Sequence, residues 1–250
     1  MKFISIVNQK GGTGKTTTAI SLGSVLAQKG KKVLLIDLDP QGNLSYSLGQ
    51  DEFEYSIGDV LMGDATVKDS ILSIEEEGFD MIPSSIDLAN VEITLAQVKN
   101  RETQLKDALK NLRGYDYVLI DCPPSFSVLA INSLTLSSEV LIPMQMTALS
   151  LQGLELIYTT VERVKEALNP KLNILGILPV MIDKRRKLSS EVKAYIEENF
   201  DIHLFETGIR NNVKAAEAPS FGQSVIYYAP NSNSAQDYQA FANEFLSIVK

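Results

Sequence analysis

Two lysines and three threonines share one short glycine-rich run, Lys10-Gly11-Gly12-Thr13-Gly14-Lys15-Thr16-Thr17. Residues of these types at this spacing suit a phosphate chain. Glycines let the backbone come close and turn its N–H groups inward. Lys15 supplies a point charge for β- and γ-phosphates, and the Thr16 hydroxyl is a natural Mg²⁺ ligand. The general pattern G-x-x-x-x-G-K-[ST] requires glycine at position 9, where this chain has Gln9. The loop is therefore a variant, K-G-G-x-G-K-[ST]. Without its context such a run is also compatible with a turn that binds nothing. A strand before it and a helix after it favour the phosphate reading.

Three aspartates are the natural companions of that loop. Asp37 closes the apolar run Val33-Leu34-Leu35-Ile36, and Asp39-Pro40-Gln41 follows directly. Asp121 closes Tyr117-Val118-Leu119-Ile120. Four apolar residues and then Asp is a Walker-B arrangement, which would hold Mg²⁺ through a water. Strand ends in open α/β sheets face the ligand crevice, where a carboxylate can orient water or metal. Each aspartate is also compatible with a turn or a helix N-cap. A basic run, Lys184-Arg185-Arg186-Lys187, stands out in an acidic chain. It reads either as a solvated loop or as a weak, salt-sensitive phosphate contact.

The elements that must position these groups alternate. Strands are predicted at residues 2–8, 32–37, 79–83, 115–121, 139–144 and 172–180. Helices are predicted at 14–29, 56–62, 87–98, 100–113, 128–136, 151–168, 188–199 and 235–249. Short apolar strands separated by helices predict an α/β fold, a mostly parallel twisted sheet with helices on both faces. With no linker or shift in composition, residues 1–250 are expected to form one domain.

Composition narrows the classes. The 250 residues carry 23 Lys+Arg against 31 Asp+Glu, a net charge of −8, which argues against a globally basic DNA-coating protein but not against a local patch. No run of 18 apolar residues offers a membrane span, and the N-terminal apolar stretch is too short for a signal peptide. The single Cys122 excludes an intrachain disulfide and a Cys/His zinc site, and the lone His203 excludes most histidine-based catalysis. A reducing cytoplasm is the expected compartment.

The stretches NQKGGTGKTTT, VLLIDLDPQGN, VLIDCPPS and EAPSFG occur in that order between residues 8 and 222. Together they resemble the ParA/Soj/MinD family of deviant Walker-A ATPases, most closely the short Soj-type partition proteins. The resemblance implies a P-loop NTPase fold, ATP and Mg²⁺ as cofactors, and a homodimer formed around ATP. In it Lys10 reaches the partner subunit's nucleotide, so that Lys10, Lys15 and Asp39 are catalytic. The nucleotide would be held by Lys10, Gly11, Gly12, Thr13, Gly14, Lys15, Thr16 and Thr17, and the metal by Thr16 and Asp121 with Asp37 in support. Hydrolysis is expected to be slow until a partner completes the site.

The resemblance also implies non-specific DNA binding through a loop whose arginine aligns with Arg185, among Lys184, Arg186 and Lys187. A ParB-like centromere-binding partner would stimulate release, and the ATP-bound form would associate with the nucleoid. One segment departs from the pattern. Where relatives read I-P-R-N-V, this chain reads Ile209-Arg210-Asn211-Asn212-Val213. That segment supplies adenine and DNA contacts in the family. Asn212 is kept for the base, Arg210 stands one position early for either role, and Lys214 adds a nearby charge. Relatives that position other cargo would share the fold and ATP chemistry. A MinD-like membrane role would need a basic amphipathic tail, whereas residues 237–250 carry a single Lys against Asp237 and Glu244 and read as a helix docked on the core. No N-terminal extension is expected to carry a helix-turn-helix, since the first strand begins at Lys2.

Overall fold

The computed structural model describes residues 1–182 and 188–249, the side chains of 188–190 excepted. In chain order the elements are β1 (Lys2–Ile6), α1 (Lys15–Gln28), β2 (Val33–Asp37), α2 (Asn43–Ser47), α3 (Ile57–Met62), β3 (Leu72–Ile74), β4 (Phe79–Ile82), α4 (Leu88–Leu95), α5 (Gln104–Ala108) and β5 (Tyr117–Asp121). They continue as α6 (Val128–Leu136), β6 (Glu139–Gln145), α7 (Ala148–Ala167), β7 (Asn173–Ile182), α8 (Leu188–Asn199), β8 (Ile209–Arg210), α9 (Val213–Glu217), α10 (Val225–Tyr228) and α11 (Asn233–Ile248). Among the described residues, eight strands form one sheet in the order β3-β4-β2-β5-β1-β6-β7-β8. All neighbours pair in parallel except β3 with β4.

The two-residue period of the strands divides the interior into two cores. Ile4 and Ile6 of β1, Leu35 of β2, Leu119 of β5 and Leu141 of β6 point to one face. There they meet Leu22 and Leu26 of α1 and Phe241 and Phe245 of α11. Leu34, Ile36, Val118, Ile120, Val140 and Ile142 point to the other. They meet Leu105 of α5, Leu129 of α6, Leu154 of α7 and Val192 of α8. Both sheet faces are therefore dry, which is why these strands read as continuous apolar runs. The chain has the α/β architecture that the alternation predicts.

The differences lie at the edges. The predicted helix at 100–113 is a 3-10 turn, Arg101–Thr103, followed by the short α5. Asn100 at φ +56° breaks the entry, while Leu105, Leu109 and Leu112 still bury at helical spacing. The antiparallel β3 and the two-residue β8 are too short to leave a periodic signal. The C-terminal helix docks as expected: Tyr238, Phe241, Ala242 and Phe245 are buried. The Tyr238 hydroxyl lies 3.1 Å from Thr18 Oγ1 of α1.

Candidate nucleotide site

β1 runs directly into the glycine loop, and the loop opens α1. Gly12 and Gly14 adopt φ +70° and +77°, which side chains with a Cβ rarely tolerate. At Gly11, Gly12 and Gly14 nothing stands within 4 Å of where a Cβ would sit, so the cradle faces open space. Gly14 is the N-cap of α1; no side chain caps the helix and no acid occupies its first turn. A fourteen-residue helix thus presents free N–H groups and its positive end to that space. Lys15 is only 7% exposed, whereas Lys10 is exposed. The loop braces itself: Lys10 N–H donates to Asn8 Oδ1 at 3.0 Å, and Thr13 Oγ1 donates to the Lys10 carbonyl at 3.1 Å. Thr17 lies in the first turn of α1.

Parallel pairing places the acids. Asp37 and Asp121 are register partners at the ends of β2 and β5, and Asp121 also pairs with Ile6 beside the loop. Thr16 Oγ1 donates to Asp121 Oδ2 at 2.6 Å. Asp121 Oδ1 is buried without a hydrogen-bond partner among the described residues. An orphaned carboxylate oxygen beside a hydroxyl that keeps its lone pairs is a donor set that fits Mg²⁺. Among the described residues no group of three or more His, Cys, Asp or Glu side chains can hold a metal alone. That agrees with Mg²⁺ chemistry, where one or two carboxylates act together with substrate phosphates.

Asp37 is differently engaged. Its Oδ2 accepts from Ser45 N–H at 2.9 Å and Ser45 Oγ at 2.8 Å, and its Oδ1 from Asp39 N–H at 3.3 Å. The carboxylate thus fastens the loop after β2 rather than standing open. Asp39 Oδ1 accepts from Gln41 N–H at 3.0 Å, and the Asp39 carbonyl accepts from Ser84 Oγ at 2.9 Å. Ser84 N–H donates in turn to Ser45 Oγ at 3.0 Å. Ser45 and Ser84 have no motif spacing that would have marked them in the sequence.

Burial pushes the Asp121 carboxyl up to about 8; the Asp37 charge adds to this, while the Thr16 hydrogen bond and the Lys15 charge oppose it. Burial likewise raises Asp37 to about 6, against the hydrogen bonds from Ser45. Both values exceed the ordinary 3.8, so between about pH 4 and 8 the ligand-free fold holds protons that the unfolded chain has released. Stability is expected to fall as pH rises through that window, by up to about 1.4 kcal/mol per pH unit for each proton. Asp121→Asn should flatten the decline above about pH 7, where Asp37, raised to about 6, is largely ionised, and should melt higher than wild type near pH 8.5. Calorimetry without nucleotide or metal checks this; identical slopes in the two proteins would remove the buried-acid account.

A cavity of about 130 Å³ opens beside the loop. Its lining includes Gly14, Thr17, Met181, Arg210, Asn212 and Ser234. Arg210 reaches it, but its guanidinium is paired with Asp237: Nη2 to Oδ1 at 2.7 Å and Nε to Oδ2 at 2.9 Å. Asn212 Oδ1 accepts from Lys214 N–H at 2.8 Å as the N-cap of α9. Lys214 Nζ pairs with Glu217 at 2.8 Å and lies 5.5 Å from the Tyr228 ring centroid. The basic run Lys184, Arg185, Arg186 and Lys187 lies outside the described residues. Buried Cys122, its thiol raised to about 12 by desolvation, is inert packing beside Asp121.

A parallel sheet with a glycine loop after β1 and aspartates at the ends of β5, which pairs with it, and of β2 beyond defines a P-loop NTPase. A family profile described as an AAA domain matches residues 1–174. The chain is 44% identical to the chromosome partitioning protein ParA of Caulobacter vibrioides over 99% of this chain and 94% of that protein. It is also 44% identical to the sporulation initiation inhibitor protein Soj of Bacillus subtilis, over 97% of each. Among solved structures it superposes on one named as cobyrinic acid a,c-diamide synthase from Mycobacterium smegmatis, with bound ADP and magnesium. There the TM-score is 0.86 at 35% identity, covering 98% of this chain and 94% of that one. The chain belongs to the ParA/Soj-like partition ATPases.

Proposed function

We propose that this partition ATPase works as a nucleotide-gated clamp. ATP and Mg²⁺ are its cofactors, and two copies close face to face around two ATP molecules. Lys15 and the free N–H groups of α1 hold the β- and γ-phosphates of the subunit's own nucleotide. Thr16 and Asp121, with Asp37 in support, would hold Mg²⁺, which when bound would supply charge neutralisation for the phosphates. Asp39 orients the attacking water for in-line displacement. With one carboxylate aligning that water, turnover is slow until a ParB-like partner completes the site.

The contrast between two lysines in one loop carries this reading. Lys15 is buried against its own site, while Lys10 is exposed and has no ion-pair partner among the described residues. An exposed ammonium at the rim is free to meet the partner subunit's nucleotide. ATP then stabilises the dimer by mass action, and hydrolysis releases it.

The dimer would bind DNA without sequence preference through the loop of Lys184, Arg185, Arg186 and Lys187, with avidity from two copies. Arg210 and Lys214 lie toward the same end of β7 and β8; their ion pairs leave them smaller shares of that charge. The described residues include no helix long and apolar enough to cross a membrane, and the expected place of action is the cytoplasm, on the nucleoid when ATP is bound.

Sedimentation velocity with a non-hydrolysable ATP analogue, followed by DNA co-sedimentation across a salt series, tests the scheme. Wild type should dimerise and then bind duplex DNA with an affinity that falls as salt rises. Lys10→Ala should bind ADP within about threefold of wild type yet remain monomeric, because a rim charge contributes across the interface and not to the cradle. A Lys10→Ala protein that dimerises like wild type would refute the assignment in trans.

A further inference from the structure

We propose that Ser234 is a base-reading residue, its hydroxyl accepting a hydrogen bond from the exocyclic amino group of the nucleotide's adenine. The inference deepens the ATP reading above and rests on it. Ser234 is fully buried, lines the 130 Å³ cavity, and its Oγ has no hydrogen-bond partner among the described residues. A buried unpaired hydroxyl is costly, and native chains keep few of them. Buried side-chain atoms without a partner among the described residues also include Ser21 Oγ, Ser127 Oγ and Asp121 Oδ1. Of the three serines, only Ser234 lines the cavity that adjoins the phosphate cradle at Gly14 and Thr17.

The shape and chemistry of that cavity suit a heterocyclic base. It is smaller than the roughly 300–1,000 Å³ of a pocket for a drug-sized ligand, so it takes one ring system while the phosphates lie outside on the loop. Apolar Val180, Ile209, Ala215 and Ala216 make its walls. Met181, at φ +53°, sits at the register break between β7 and β8 and closes it.

An amino group entering there needs an acceptor. Asn212 Oδ1 already accepts from Lys214 N–H, the Tyr238 hydroxyl lies with Thr18, Arg210 offers only donors, already directed to Asp237, and of the other polar lining residues Asn211 is exposed and Thr17 half-buried. Among the buried side chains lining the cavity, the Ser234 oxygen is the acceptor left over. Its position is fixed from both sides, because Arg210–Asp237 ties α11 to β8 and Tyr238–Thr18 ties it to α1. A hydroxyl held on a rigid helix is pre-organised for such a contact.

Calorimetric titration with three probes tests this: ADP, purine riboside 5′-diphosphate, which lacks the amino group, and 2′-deoxy-ADP. Wild type should bind ADP about 5- to 10-fold more tightly than the purine riboside analogue, the effect of one hydrogen bond. Ser234→Ala should bind ADP and that analogue equally, at the weaker level, while its ligand-free melting temperature does not fall. Ser234→Cys, similar in size with a poor acceptor, should behave like Ser234→Ala. Undiminished discrimination in both variants, or equal weakening toward all three probes together with a lower melting temperature, overturns the assignment. Loss of the variant effect on 2′-deoxy-ADP alone would move the contact to the ribose and overturn the base reading. Failure of wild type to bind ADP at all would instead refute the nucleotide site itself.

Discussion

Lys15→Ala is expected to weaken ADP and ATP binding by about 30-fold or more, enough to cut activity sharply at ordinary nucleotide concentrations. The expectation follows from what the lysine faces. Its side chain is only 7% exposed, at the first position of α1, and its charge opposes the rise in the Asp121 carboxyl. Without it, a triphosphate would enter a site whose remaining buried ionisable groups are the carboxyls of Asp37, Asp39 and Asp121. Truncating one partner of a desolvated charge pair costs about 2–5 kcal/mol, or roughly 30- to several thousand-fold. The helix N-terminus and the glycine N–H groups would remain, so the loss is large but not total. Lys15→Arg should rescue little, since a planar fork does not replace a compact ammonium in a tight loop. Calorimetric titration with ADP measures both; affinity within threefold of wild type in Lys15→Ala would remove Lys15 from the phosphate site.

Much of this site was legible because it is written in local chemistry. The strand, the glycine run and the helix are consecutive, so the cradle at Gly11–Gly14 and the burial of Lys15 need no tertiary information. Asp37 and Asp121 were legible for a related reason: each ends an apolar run, and parallel register brings those ends together. What the sequence hides is pairing across distance. Asp237 lies 27 residues from Arg210, and nothing in the spacing says that it takes the guanidinium. Ser45 and Ser84 are 39 residues apart and act through a few hydrogen bonds that leave no periodic trace. Ser234 is masked more completely. It follows the N-cap Ser232 of α11, where a second serine reads as ordinary helix-start composition. Only the fold shows that its hydroxyl is left over. The short edge strands β3 and β8 escaped because two or three residues cannot establish alternation.

Asp39→Ala should separate binding from turnover. The backbone around Asp39 is held without its carboxylate: its N–H donates to Asp37 Oδ1 and its carbonyl accepts from Ser84 Oγ. Deleting the side chain removes one contact, that from Gln41 N–H, so the loop and the Thr16–Asp121 pair keep their places. Nucleotide affinity should stay within about threefold, while phosphate release falls by about 10²–10³-fold, the usual effect of losing a group that positions or deprotonates the nucleophile. The ATP-bound dimer should then persist, because the step that dissolves it is the one removed. Phosphate release and sedimentation on the same sample read both quantities. Equal rates in wild type and variant would transfer water positioning to another group; loss of nucleotide binding would make Asp39 part of the cradle. Set beside Lys15→Ala, which should lose binding first, the variant distinguishes a residue that holds the phosphate chain from one that acts only when its terminal bond breaks.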